Sequence, residues 1–371
     1  MENFRQNKFP TLGIEEEFHL INAETADLSP SVTDVIKCLD GEMKKRVCQE
    51  LLMCVIENRT GVFTTVNDLV KSTEEGRSVL SECCGKLDLN LVASGSHPFA
   101  NWRNLTFVED DHYRWVRENY GYFTQRLLSF GLHIHVGVKN EEVAIYVMNE
   151  MYRWIYSLLA FSANSPYYDG IDTGLASARA HLFHSMPRTR VAPPFKSYAE
   201  YVSYYEKLHQ LGAVTRTGDL LWIIRPQPLF GTVEFRIFDL PTSVRRIGAF
   251  VALIQAAVDT YQDSFFAGKP ASTIHVGYLE QNWWSAVRFG MNASMIEPAT
   301  GEIISVRDHL KKFIDLVTPR AIKLYSKNHI DYARAMIEDG NEADQQRILF
   351  KQHEGDLQLL ELEIARKTVE Y

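Results

Sequence analysis

Three pairs of charged residues, each spaced by two positions, are placed to do chemistry together: Glu15 with Glu17, His133 with His135, and Glu234 with Arg236. Two carboxylates side by side repel each other unless a cation lies between them. A hard divalent ion such as Mg²⁺ is the natural partner, because it favours oxygen ligands. Two histidines at this spacing can bind metal or contact a phosphate, although a zinc site needs further ligands. A glutamate two residues from an arginine can be a metal ligand beside a cation aimed at a transferring phosphoryl group. It can equally be a plain ion pair. Glu50 and Glu57 form a looser fourth pair. Seven residues put them on nearly one face of a helix but on opposite faces of a straight strand, unless a bulge restores parity. Each pair alone also has an ordinary reading: a solvated acidic edge, a satisfied histidine pair, a salt bridge, or an apolar run at 51–56.

What would position these residues is alternation. Residues 11–21 set Leu12, Ile14, Glu16, Phe18 and Leu20 on one face of a strand, and Gly13, Glu15, Glu17 and His19 on the other. Leu132, Ile134, Val136 and Val138 back the two histidines. Val233, Phe235 and Ile237 back Glu234 and Arg236. Three apolar backs with polar fronts predict one wall carrying Glu15, Glu17, His133, Glu234 and Arg236. Glu16 alone breaks the pattern. A histidine amid carboxylates, with arginine close by, suits Mg²⁺–nucleotide chemistry better than structural zinc. No Gly-x-x-x-x-Gly-Lys-Ser/Thr occurs, so phosphates would be gripped by metals and arginines.

Elsewhere Thr65, with Asp68 three residues on, marks a helix start. Residues 141–163 read as one long buried helix stopped at Asn164-Ser-Pro166. Residues 164–196 hold four prolines and read as an irregular lid or binding loop. Strands are expected at 220–224 and 232–238, with Arg225 in the turn between them. Helices are expected at 244–266, 279–289, 306–316, 319–339 and 342–369. Strands crowd the first two-thirds and helices the last third, without regular β–α alternation. The expected fold is therefore α+β with a mostly antiparallel sheet, in one domain over 1–371 whose part from about 244 is helix-rich.

The totals exclude several classes. The 371 residues are 46% hydrophobic and 23% charged, which fits a folded chain with a large core. A formal charge of −8 leaves no basic footprint for nucleic acid. The five cysteines are odd in number and form no Cys-x-x-Cys, as expected of reduced thiols in the cytoplasm. The polar N-terminus does not read as a signal peptide, and no apolar run reaches the ~20 residues that span a bilayer.

Taken together, Gly13-Ile-Glu-Glu-Glu17, Gly95-Ser-His-Pro-Phe99, His133-Ile-His-Val-Gly137, Asn164-Ser-Pro166, Arg225-Pro226 and Gly231-Thr-Val-Glu-Phe-Arg236 resemble the bacterial type 2 glutamate–cysteine ligase family, also called carboxylate–amine ligases. The resemblance runs from about residue 11 to 260. It implies a glutamine-synthetase-like catalytic sheet, curved and covered by helices, that uses ATP and Mg²⁺ or Mn²⁺ to join a carboxylate to an amine through an acyl phosphate. It implies metal ligands at Glu15, Glu17, Glu50, Glu57, His133 and Glu234. His135 and Arg236 would lie near the ATP phosphates, and Arg225 would take part in catalysis or bind a substrate carboxylate. Asn164 and Arg179 are candidate substrate contacts. Partners would be amino-acid substrates and ATP, with the chain acting as a homodimer. The alternatives are a zinc-dependent hydrolase built on the two histidines and a nucleotide-binding relative without turnover.

Overall fold

The computed structural model describes residues 3–370. Its principal sheet has seven strands, numbered here in chain order: β1 Leu12–Asn22, β2 Val47–Gln49, β3 Val55–Arg59, β4 Leu89–Val92, β5 Gly131–Gly137, β6 Ile224–Gln227 and β7 Thr232–Asp239. They lie in the order β2-β3-β1-β5-β7-β6, with β4 pairing the end of β1, and every pairing is antiparallel. Alternation decides which face is which. Leu12, Ile14, Phe18, Leu20, Leu132, Ile134, Val136, Val233, Phe235 and Ile237 are all buried in one continuous core.

Helices cover that apolar back. The long helix Val244–Phe266 packs on β5 and on helices Val66–Gly85, Glu141–Met151, Val306–Lys323 and Lys327–Asp339. Thr65 caps Val66–Gly85 by accepting from the Asp68 N–H, as its spacing predicts. Glu16, the exception on the apolar face, has a partner there. Arg77 of that helix reaches its carboxylate at 2.9 Å, and Asn58 donates at 3.2 Å. The same guanidinium donates to the carbonyls of Pro241, Thr242 and Thr368.

Several boundaries differ from the expectation. The helix expected at 141–163 is two, Glu141–Met151 and Ile155–Ser162. Between them Arg153 pairs with Glu297 and the Trp154 indole donates to Tyr261. Pro319 does not begin a helix; Val306–Lys323 runs through it, and the break falls at Tyr325, whose φ is +57°. The last expected helix splits into Glu342–Gln352 and Leu357–Thr368, because Glu354 and Gly355 take positive φ and Asp356 caps the second piece. Residues 164–196 are not irregular throughout. They hold a small hairpin, Tyr167–Tyr168 with Ile171–Asp172, and a helix, Ala178–His184. Arg225 lies within β6 rather than in a turn. Pro226 is tolerated beside it because β6 is the end strand of the sheet.

Candidate active site

Register builds the polar face. Glu15 lies opposite His133 on one side and Arg59 on the other; Glu17 lies opposite Glu57. His135 is opposite Glu234, which in turn is opposite Arg225. Between Leu132 and Ile134 the pairing shifts, with one extra residue on β7, which bends β7 against β5 at this point. The three pairs legible in the sequence thus share one wall, as alternation predicts. Glu57 reaches the wall directly from β3. Glu50 follows β2 and arrives from a loop, beside Tyr113, whose hydroxyl is 3.4 Å from its Oε2.

Two sets of ligand atoms converge. Glu15, Glu57 and His133 can present one atom each within 4.8 Å of one another, and so can Glu15, His135 and Glu234. Glu15 belongs to both. Its Oε2 is 2.9 Å from His133 Nδ1 and its Oε1 is 3.5 Å from His135 Nε2. The two histidines fall in different sets. Glu17 lies beside them: its Oε1 is 3.5 Å from His133 Nε2, and its Oε2 accepts the Gly131 N–H at 2.5 Å.

The carboxylates are not equivalent electrically. Burial, then the charges of Glu50 and Glu15, raise Glu57 well above the usual range. Burial and the Glu17 charge push Glu50 up to about 7, although its hydrogen bond with Glu57 pulls the other way. Burial also works to raise Glu15, but hydrogen bonds with His133 and His135 overcome it and hold that carboxyl well below its ordinary value. At Glu234 the burial effect is overcome by Arg225 and Arg236, which keep it ionised. Arg236 Nη1 donates to Glu234 at 2.6 Å, while its buried Nε has no hydrogen-bond partner among the described residues.

Glu15 lines two cavities. The larger, about 300 Å³, is also lined by Glu17, Glu50, Glu57, His133, Arg179 and Arg236. The smaller, about 170 Å³, has His135, Thr232, Phe230, Arg5 and Arg59 in its wall. Arg179 is buried, donates to the Ile237 and Arg236 carbonyls, and keeps an unpartnered Nε.

Two expected contacts are already engaged within the chain, Arg225 in the wall of the larger cavity and Asn164 away from both cavities. Arg225 makes four hydrogen bonds, two to Glu234 and one each to the carbonyls of Gly218 and Leu220. It orients Glu234 and is largely spent as a substrate donor. Asn164 lines neither cavity beside Glu15. It is fully buried in a knot with Asp239, Leu240, Thr242 and Gln346. Conversely, Arg59 was missed, although it follows Glu57 at same-face spacing; its Nε is 3.2 Å from Glu57 Oε1. His112, Tyr113 and Arg216 also line the larger cavity. They come from a helix and a turn whose approach to the sheet has no signal in local sequence.

The antiparallel sheet with its acidic face and helical cover is of the glutamine-synthetase-like fold. Residues 11–363 match the family described as glutamate-cysteine ligase family 2 (GCS2), and the chain belongs to that family. A protein of Ralstonia pickettii is 30% identical over 95% of this chain and 93% of its own length. One from Solibacter usitatus is 32% identical over 97% and 92%. Both bear the name "Putative glutamate--cysteine ligase 2". Among solved structures, glutamate–cysteine ligase of Francisella tularensis in complex with AMP superposes with a TM-score of 0.72 at 13% identity, covering 100% of this chain and 91% of its own. A bifunctional glutathione synthetase from Pasteurella multocida gives 0.66 at 14% identity, covering 97% of this chain and 52% of its own. No helix among the described residues is long and apolar enough to cross a membrane.

Proposed function

We propose that this ligase joins a carboxylate, glutamate in the family's name, to an amine at the expense of ATP, through an acyl phosphate. The observation that carries the reading is Glu15 shared between two ligand sets, one on the side of each cavity. The donor set fits hard divalent cations: carboxylates with one imidazole per set, crowded enough to raise Glu50 and Glu57. Glu15, Glu57 and His133 would hold one ion, and Glu15, His135 and Glu234 another, with Glu17 and Glu50 adding charge. Bound there, Mg²⁺ or Mn²⁺ supplies neutralisation of phosphate oxygens and polarisation of the transferring group. This division separates the two histidines, which disfavours a single zinc site built on both.

The nucleotide occupies the smaller cavity, where the Phe230 ring offers a stacking face and Arg5 and Arg59 offer cations. The acid and amine occupy the larger one. There the acid's carboxylate oxygen attacks the γ-phosphorus, the bond to ADP breaks, and the acyl phosphate forms. The amine nitrogen then attacks the acyl carbon. Phosphate leaves, and the nitrogen gives up a proton. Arg236 donates from Nε to the phosphoryl oxygens, held in place by Glu234. Arg179, with its own free Nε, binds a substrate carboxylate. Arg225 fixes Glu234. In this reading the chain works in the cytoplasm as a homodimer, and a monomer by light scattering at micromolar concentration would remove that part.

Arg236→Lys tests the assignment. Lysine keeps the charge but loses the planar fork. Turnover should fall by about 10²-fold or more, the scale of one preorganised donor, with ATP binding and melting temperature nearly unchanged. Near-normal phosphate release in this variant would reduce Arg236 to an ion-pair partner of Glu234.

A further inference from the structure

The larger cavity is not acidic all round. Its glutamates come from β1, β3 and the loop after β2, and one further carboxylate, Asp219, from the turn Thr217–Asp219. The lining that comes from outside the sheet includes Val116, Leu127, Phe183, Met186 and Leu221. The polar groups on these same elements largely satisfy one another. Asp219 Oδ2 accepts from the N–H and hydroxyl of Thr215 and from the Arg216 N–H, and its Oδ1 faces His112 Nε2 at 3.7 Å. The Tyr120 hydroxyl accepts from Arg188, and the Tyr113 hydroxyl donates to the Gln49 carbonyl. His112 and Arg216 both face Asp219 Oδ1 at 3.7 Å, so beyond Arg179 this part of the cavity offers a ligand mainly aliphatic, thioether and ring surface.

We infer that the amine substrate of this enzyme carries a bulky apolar side chain, of leucine, methionine or phenylalanine size, which packs against Val116, Leu127, Phe183, Met186 and Leu221. The inference rests on the ligase reading above and names the class of its second substrate. Glutamate fits this role poorly: His112 and Arg216 are already turned to Asp219, and its carboxylate would be desolvated against the apolar side chains. A small thiol side chain would leave most of the apolar surface uncovered, and no lining side chain here is committed to it. An apolar side chain removes that surface from water, and a single methylene in such a pocket discriminates roughly 10–200-fold in kcat/KM.

The test is phosphate release from Mg²⁺-ATP with glutamate as acid and a series of amines: glycine, serine, cysteine, leucine, methionine and phenylalanine. The expected result is a kcat/KM roughly 10-fold or more higher for the three apolar amino acids than for serine or cysteine. Equal or better use of cysteine or serine would overturn the inference and leave the ligase reading intact. No amine-dependent phosphate release with any member would overturn both. Phe183→Ser sharpens the first outcome, since Phe183 is half-buried on a short helix. The leucine-to-serine ratio should collapse towards one, and an unchanged ratio would remove Phe183 and its neighbours as the side-chain pocket.

Discussion

Glu16 and Glu57 are buried carboxylates on neighbouring strands of one sheet, on opposite faces, and their surroundings are opposite in kind. Glu16 meets a single guanidinium, Arg77, that is itself fully engaged by three carbonyls from the segment after β7 and the end of the last helix. Burial still raises its carboxyl above the ordinary value, against the pull of Arg77. Glu57 meets Glu50, Glu15 and Glu17, and their charges add to burial in raising it further. The first arrangement is complete within the chain and ties three distant segments together. The second is a concentration of like charge that the fold holds in place, offset within the chain by Arg59 at 3.2 Å and suited to a cation from outside. The charge balance around a buried carboxylate, more than its burial, separates a structural group from a functional one.

The same substitution at both positions should break this comparison apart. Glu16→Gln leaves Arg77 charged and buried without its counter-ion, so unfolding free energy should drop by roughly 3–5 kcal/mol. The turnover of the protein that remains folded should be unaffected. Urea unfolding beside active-site-normalised kinetics reads both; a loss of turnover at full stability would move Glu16 into the site. Glu57→Gln should do the reverse. Turnover should fall by about 10²-fold or more, while stability without metal holds or rises as like-charge repulsion is relieved. Addition of Mg²⁺ sharpens the contrast. At about a hundred times its Kd a bound ion stabilises the folded state by ~2.7 kcal/mol. Calorimetric scans should show the full gain in the wild type and in Glu16→Gln and a smaller one in Glu57→Gln, which keeps only the Glu15, His135 and Glu234 set. An equal gain in all three would place the cation elsewhere.

Much of the polar face was legible because alternation has a period of two. Glu15, Glu17, His133, His135, Glu234 and Arg236 needed only the parity of their strands and an apolar back to hold them. Glu50 was harder, because it reaches the wall from a loop and neither helical nor strand parity describes it. The partner of Glu16 could not be read at all. Arg77 is 61 residues away on a helix, and nothing in that helix marks its guanidinium as buried. The engagement of Asn164 and Arg225 was hidden for the same reason: their hydrogen-bond partners come from tertiary contacts that local sequence does not show. Helix ends were misplaced where proline was trusted over positive φ. Pro319 sits inside a helix, and the turns that end helices are made by Tyr325 and by Glu354 with Gly355.

Glu361 is a third kind of buried carboxylate, and its effect is read through pH. It lies on the last helix, fully buried, with Oε1 2.5 Å from His19 Nε2 and no other counter-ion closer than His97 at 3.9 Å. Burial pushes its carboxyl from 4.5 up to about 7, against a weak pull from His97, and burial depresses His19 from 6.5 to about 3. Between those limits the folded pair therefore holds one proton, on the carboxyl side. The unfolded chain holds two below pH 4.5, one on the imidazole between 4.5 and 6.5, and none above. Stability from this pair should rise with pH from about 3 to 4.5, where the unfolded chain binds more protons. It should be flat from 4.5 to 6.5, where the counts match, and fall from 6.5 to about 7, where the folded state binds more. Glu361→Gln removes the carboxyl proton and leaves only His19. The variant should gain stability all the way from about pH 3 to 6.5 and lose none above it. Relative to the variant, the wild type should decline between pH 4.5 and 7 by about 1.4 kcal/mol per pH unit at most. Urea midpoints for both proteins at pH 5, 6, 7 and 8, chosen to bracket the shift, read the difference directly, and any constant offset from the lost acid group drops out. Parallel curves would mean that the folded pair holds no proton across this range, so that Glu361 is ionised beside a neutral His19 and burial does not raise it.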